Sequence, residues 1–483
     1  MPSVKKNIGW NILLTVSGYL FPLLTFPYIT RVLGPDNLGL ANFALSVVDY
    51  AILFANLGLG TIGYRYIPQC NDNIKKRNDV FSRLVSLHII LSTIILFIYI
   101  ICITYAPQLS NHHELYYVGI TKIVMNVFLV SWLFEGMQDF QYITIRSLVI
   151  RTLYVICIFL FVRHKDDYDI YFYVSIAQVA VNAFINWRYS KKYVKFTFSL
   201  RGCKEYIFPV FSMGTNRILF SFYGTFNVII LGMNCDEASV GYFVTATRLY
   251  AIFLSFLSAY NGVFVPYLNS LLGKGDMEQF KKYVDYSLSI VSLLSIPLIV
   301  GGVILAPEII LLIAGTGYER AVLPFQIVMI QILLVGLAQI FENQILLSFK
   351  RYRDILVCTV SSVVLAFLII VLFVPQYAEV ASAYAVAIPH IVEAVLLYYF
   401  VKKVIDISFP IKDFLKNLIA CVPIAIICFS ARALFENYVV TLLVASIISV
   451  IYYFAVQFYV LRNEFLINQT LRVTQVLRKT LYH

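Results

Sequence analysis

The chain has no GxxxxGK[ST] loop to hold a nucleotide's phosphates, no GxSxG elbow and no HExxH pair, so no ATPase or hydrolase machinery is visible in it. Its eight cysteines form neither C-x-x-C pairs nor zinc spacings, which argues against a metal site. Only Cys235 falls on the side read below as outer, so an intramolecular outer disulfide is excluded. Charge is scarce at 13% of residues, and the acidic share is smaller: 26 Asp and Glu against 37 Lys and Arg, for a formal charge of +11. Long polar stretches are missing too. The gaps between apolar runs leave no room for a soluble domain, and the longest outer gap, 307–324, is short for an enzyme working on outer-face glycans.

What fills the chain is hydrocarbon, with 60% of residues apolar. Fourteen apolar runs read as spans: 8–30, 39–63, 84–106, 117–135, 147–162, 170–187, 207–233, 240–268, 284–306, 325–348, 355–374, 380–401, 414–433 and 439–461. Each is about the ~20 residues that a helix needs to cross a bilayer. The expected fold is an all-α integral membrane protein. Lysines and arginines outside the spans crowd into alternate gaps, and the remaining gaps hold only Arg31, Arg163, Lys165 and Arg320. Since inner loops keep the excess of Lys and Arg, both termini and the basic gaps are expected to be cytoplasmic. The positive charge is then this bias plus attraction to anionic headgroups, and not a nucleic-acid signal. The first run follows Lys5 and Lys6 but is long and lacks a small-x-small cleavage site, so it is expected to remain as a helix.

A basic gap at 188–206 divides the first twelve spans six and six. The expected organisation is a bundle at 1–187, a cytoplasmic linker at 188–206, a second bundle at 207–401, two further helices at 402–461 and an amphipathic tail at 462–483. An even number of spans per half places any repeat axis along the membrane normal. Phe43 and Tyr50-Ala51-Ile52 align with Phe243 and Tyr250-Ala251-Ile252, a match that two apolar helices also reach by chance. Pro22 and Pro27 lie within the first span, where each removes a donor and strains the preceding turn. The bend they imply is either a packed kink or a hinge.

Five cations fall inside spans: Lys122, Arg151, Arg217, Arg248 and Arg432. A central Arg or Lys costs ~2.5–3.5 kcal/mol to insert, so each needs a reason. Arg151 and Arg432 can snorkel to the nearer interface. Arg217, beside Thr215 and Asn216, and Arg248 lie deeper, with Lys122 intermediate. Asp49, Glu135, Glu342 and Glu393 accompany them, Glu393 three residues after His390. These charges either pair to hold helices together or line a hydrated cavity whose cations hold an anion and whose carboxylates exchange protons or sodium. His390 is either a neutral packed imidazole or a group coupled to Glu393. His88 reads as interfacial.

FPYITRVLGPDNLGLANFALSVVDYAILFANLGLGTIGYRYI, from Phe26 to Ile67, resembles the opening of the polysaccharide transporter family. These are the Wzx-type O-antigen and repeat-unit flippases of the multidrug/oligosaccharidyl-lipid/polysaccharide exporter (MATE-like) superfamily. WLFEGMQDFQYITIRSLVIR, NVIILGMNCDEASVGYFVTATRLY, LAPEIILLIAGTGYERAV and NQILLSFKRYRD are similar to later blocks of the family. Asn227 stands where the family often has Asp, and VASAYAVA where many relatives have Gly-Ala-Ala.

The resemblance implies two six-helix bundles related by a pseudo-twofold axis around a central cavity, with two extra helices. It also implies movement of a polyprenyl-diphosphate-linked oligosaccharide from the inner to the outer leaflet of a bacterial cytoplasmic membrane. On that reading Arg217, Arg248 and Lys122 meet the diphosphate or sugar carboxylates, and Arg31 and Arg65 contact headgroups or anchor loops. Asp49, Glu342, Glu393 and His390 are the ion-coupling candidates, with H+ or Na+ as the ion and no other cofactor. Partners are the lipid-linked oligosaccharide, membrane lipids and polysaccharide assembly proteins. The rivals are a drug or cation antiporter of the same superfamily, which calls for deep acids rather than deep arginines, and a membrane-embedded glycan polymerase or acyltransferase.

Overall fold

The computed structural model describes residues 4–70, 73–407 and 409–462, and the regular structure among them is helical throughout. In chain order the helices are α1 (Val4–Asn56), α2 (Leu59–Tyr66), α3 (Ile74–Tyr105), α4 (His113–Asn126), α5 (Ser131–Gly136), α6 (Phe140–Phe161), α7 (Tyr168–Ser190), α8 (Lys204–Ser221) and α9 (Asn227–Asn234). They continue with α10 (Glu237–Gly273), α11 (Met277–Ile304), α12 (Ala306–Ile313), α13 (Val322–Gln339), α14 (Tyr352–Lys402), α15 (Ile411–Ala420), α16 (Val422–Leu434) and α17 (Tyr438–Ala455). The tail at 462–483 lies, but for Arg462, outside the described residues.

Ten helical segments are long and apolar enough to cross a bilayer, so this is a multi-pass membrane protein. Two of them, Gly9–Asn56 with 48 residues and Tyr352–Lys402 with 51, are more than twice the length that ~30 Å of hydrocarbon needs. Each turns inside. The first breaks at Gly34 (φ 73°), where glycine takes the left-handed backbone and Pro35 then removes a donor. Pro22 and Pro27, expected to bend the first span, stay inside continuous helix, and the hydroxyls of Thr25 and Thr30 donate to carbonyls one turn back. The second long helix breaks at Ala378 (φ 46°), three residues after Pro375. Large apolar side chains face outward along the spans, among them Phe97, Phe184, Leu372 and Ile451. An outer surface of this composition suits hydrocarbon, not water.

The chain folds as two compact units. Unit 1 takes Met1–Val244 with Ile369–Ser382, and unit 2 takes Thr245–Leu368 with Ala383–His483. In unit 1 the buried aromatics Phe81 and Phe134 anchor a core against Trp132 and Trp187. The basic linker is a strap on α3. The amides of Lys195, Thr197 and Ser199 donate to Asn78 Oδ1, Ser82 Oγ and Ser86 Oγ at 2.9–3.1 Å. Two residues of extended chain advance about as far as four of helix, so alternate amides meet successive turns.

Glycines set two close approaches within unit 1, roughly 28 Å apart along the helix that follows Gly34. At one end a Cβ on Gly39 would overlap the Glu237 carbonyl, and one on Gly241 the Pro35 carbonyl. At the other, a Cβ on Gly58 would lie 2.5 Å from Val210 O, and one on Gly214 would lie 2.8 Å from Leu57 Cβ. These helices touch backbone to backbone because small residues let them, the usual device for packing in a bilayer. In unit 2, Tyr453 donates to Leu293 O at 2.9 Å beneath α15–α17, and Glu308 receives two bonds from Arg432 at 2.6 and 2.7 Å. Arg432, expected to snorkel, is therefore half of an ion pair with a buried carboxylate. Arg151 likewise turns inward, onto Ser17 Oγ and Leu14 O.

Candidate functional site

The break between α1 and α2 opens a cleft in unit 1. Leu57 takes positive φ (39°), so α2 departs from the direction of α1 and leaves Asn56, Gly60, Thr61 and Tyr64 along one wall. The opposite wall is built where α4 gives way to α5, from Asn126, Leu129, Val130, Ser131, Trp132 and Glu135. His88 of α3 and Arg217 of α8 complete a cavity of about 270 Å³. Pockets that enclose a small molecule start near ~300 Å³, so this one grips part of a large ligand instead of surrounding all of it.

Its chemistry is polar and mixed. Arg217 is exposed and reaches the cleft from the helix that also carries Gly214. Glu135 feels the charges of both Arg217 and Arg146, two guanidinium groups for one carboxylate. His88 is 6% exposed, and its Nε2 has no partner, nor has Asn126 Oδ1. Buried polar atoms are almost always satisfied, so two orphans lining one cavity point to water or a ligand there. The ring of Trp132 lies against the backbone of Gly63, where a Cβ would strike it, and is held in place at the cleft wall. Hydroxyl and amide groups from Thr61, Ser131, Tyr64 and Asn56 stand around it.

The residues singled out in the sequence separate into four groups. Arg217 lines the cleft. Lys122 and Asp49, read as a substrate cation and an ion-coupling acid, bond to each other at 2.5 Å, with Lys122 12% and Asp49 48% exposed. Arg31 and Arg65 are exposed on α1 and α2, and Arg248 is half-buried on α10 in unit 2.

The other ion-coupling candidates, Glu342, Glu393 and His390, do assemble, within unit 2. His390 Nδ1 lies 2.9 Å from Glu393 Oε2, and Glu342 is close enough to Glu393 for their charges to repel. Glu342 sits on a π-turn, residues 340–346, whose extra residue per turn re-aims side chains. Sequence reading set Glu135 among the in-span charges without giving it a role of its own, placed none of Asn56, Asn126 and Trp132 in a site, and took His88 for an interfacial residue. The block from Trp132 to Arg151 was the available signal for Trp132 and Glu135. At the family-variable position, Asn227 is fully buried; its Nδ2 donates to Ser382 O at 3.0 Å, while its Oδ1 has no partner.

Comparison with known proteins adds relatives. Residues 4–272 match a family described as "Polysaccharide biosynthesis protein". A putative O-antigen transporter of Escherichia coli K12 is 24% identical over 412 residues, 83% of this chain and 97% of the relative. The probable low-salt glycan biosynthesis flippase Agl15 of Haloferax volcanii is 25% identical over 188 residues, 39% of this chain and 40% of the relative. Among solved structures, the lipid II flippase MurJ in an inward closed conformation superposes with a TM-score of 0.76 at 14% identity, covering 94% of this chain and 99% of that one. An outward-facing MATE-family multidrug transporter superposes with a TM-score of 0.50 at 15% identity, covering 81% and 94%. These two likenesses are likenesses of fold.

Proposed function

The chain belongs to the polysaccharide biosynthesis protein family, and from that membership and the cleft around Arg217 we infer that it is a flippase for lipid-linked oligosaccharides. It is a transporter, not an enzyme. The relatives named for glycan transport support this class, and the fold shared with a lipid II flippase suits a cargo of sugar, diphosphate and lipid. Crossing unaided, such a head would shed water from its charges and many hydroxyls into a medium that cannot hydrogen-bond. The carrying observation is the cleft itself. One arginine meets an anion, the hydroxyl and amide groups and the two orphan polar atoms replace lost hydration, and Trp132 and Tyr64 offer flat faces for sugar rings.

The finer reading concerns direction and drive. With both termini and the basic gaps cytoplasmic, the Gly58–Gly214 contact lies toward the inner face and the Gly39–Gly241 contact toward the outer face of a bacterial cytoplasmic membrane. Alternating access then requires these two seams to part in turn, and Arg217, one helical turn beyond Gly214, moves with the inner one. Glu342, Glu393 and His390 form the ion-coupling cluster, taking up H+ or Na+. A cation antiporter of the same fold is the weaker reading, because the cleft presents an arginine where a cationic drug needs an unopposed acid.

The test is complementation. Expressed in a strain without its own repeat-unit flippase, the protein restores surface polysaccharide, and Arg217→Ala at matched expression does not. Restored drug resistance without polysaccharide would favour the antiporter.

A further inference from the structure

A second charged recess lies elsewhere in unit 1, on the flank formed by α6, α7 and the start of the basic strap. Two adjoining hollows of about 570 Å³ each share Tyr142, Ile185, Tyr189 and Lys192, and neither has a lining residue in common with the Arg217 cleft. Their common wall is a pair of stacked rings, Tyr142 and Tyr189, with centroids 3.6 Å apart and planes 10° from parallel. At the polar end stand Arg188, Lys191 and Lys192, with the Lys192 ammonium 5.1 Å from the Tyr189 ring centroid. Among the described residues none of these three forms an ion pair. Arg146 lines the second hollow, 8% exposed, with its Nε unpartnered. The one acid present, Asp139, is already occupied: its Oδ2 accepts from the Tyr189 and Tyr193 hydroxyls at 2.9 and 2.6 Å, and its Oδ1 from the Tyr142 amide at 3.3 Å.

The other end of the recess is apolar and open. Phe184 is 72% exposed, and Ile145 and Val149 are about half exposed. The sequence of environments along α6 and α7, cations at the helix end and bare hydrocarbon a turn or two deeper, matches the cross-section of one lipid at the membrane interface. We propose that this groove binds an anionic diacyl phospholipid, its phosphate on Arg188, Lys191 and Lys192 and its acyl chains over Phe184, Ile145 and Val149. The chemistry selects for it. Three cations, with no acid partner among the described residues and only Lys192 bonded, to the Tyr189 hydroxyl at 3.2 Å, call for a negative phosphate without a compensating amine, and the exposed apolar floor needs chains. A zwitterionic lipid supplies only the second. On the orientation inferred above, the lipid comes from the inner leaflet.

The experiment uses the full-length protein in phosphatidylcholine vesicles containing trace spin-labelled phosphatidylglycerol or spin-labelled phosphatidylcholine, with the protein-bound fraction read from the motionally restricted signal. Wild type should retain phosphatidylglycerol over phosphatidylcholine. The Arg188→Ala/Lys191→Ala/Lys192→Ala triple variant should lose about tenfold of that preference, and Lys191→Arg/Lys192→Arg should keep it. An unchanged melting temperature for the triple variant shows that the loss is local. Equal preference in wild type and triple variant overturns the proposal. So does displacement of phosphatidylglycerol by equimolar polyprenyl diphosphate, which would assign the groove to the cargo.

Discussion

The cleft of unit 1 and the acidic cluster of unit 2 are built from opposite materials. The cleft is open, mixes Arg217 with Glu135 under a positive local balance, and carries orphan donors and acceptors. The cluster brings Glu342, Glu393 and His390 together on a π-turn and α14, with Glu393 only 5% exposed. An open site with unsatisfied hydrogen-bonding groups suits part of a large ligand whose contacts change. A tight site of like charges suits a small cation or a proton, because two carboxylates near one another share positive charge more readily than either holds it alone. On the proposed function, cargo belongs to one region and drive to the other, and each substitution below should disturb only one side.

Arg217→Ala should have the largest effect. A charge-assisted hydrogen bond is worth ~1.5–3 kcal/mol, so flux of lipid-linked oligosaccharide in vesicles should fall by about 10- to 100-fold while any acceleration by an imposed gradient persists. Gly60→Leu comes next. A Cβ at Gly60 meets nothing within 4 Å, so the new side chain enters the cleft without harming the fold. Flux should drop by roughly tenfold with no change in melting temperature. Glu342→Gln should leave slow, gradient-independent flipping intact while removing the response to a proton or sodium gradient.

The sequence was sufficient for the class of fold and for some of this contrast. Spans and alternating charge follow from the cost of burying polar atoms in lipid, which any single residue declares. Arg217 stood out because Thr215 and Asn216 flank it, and Glu393 because His390 lies one turn before it. What stayed hidden depends on which face of a helix meets which neighbour. His88 sits near a helix end in sequence, yet packing turns it inward to the cleft. Pro22 and Pro27 advertised a bend, but the backbone turns at Gly34, where positive φ costs nothing. Asn78, Ser82 and Ser86 carry no motif in the sequence, yet they are the rungs that hold the strap.

The smallest effect should come from the pair that sequence assigned to both sides. Lys122 and Asp49 bond to each other, Lys122 largely buried and Asp49 half exposed, so each neutralises the other and neither is free to hold cargo or an ion. Lys122→Met and Asp49→Leu should each lower flux by no more than about fivefold. The double variant should recover most of that loss, a cycle that separates a helix clasp from a substrate or ion site.

The division of labour is tested most directly by equilibrium binding of a polyprenyl-diphosphate oligosaccharide to purified Arg217→Ala and Glu342→Gln proteins. The first should lose at least about tenfold in affinity, and the second should bind as wild type does. Undiminished binding by Arg217→Ala, or an equal loss in Glu342→Gln, would contradict it.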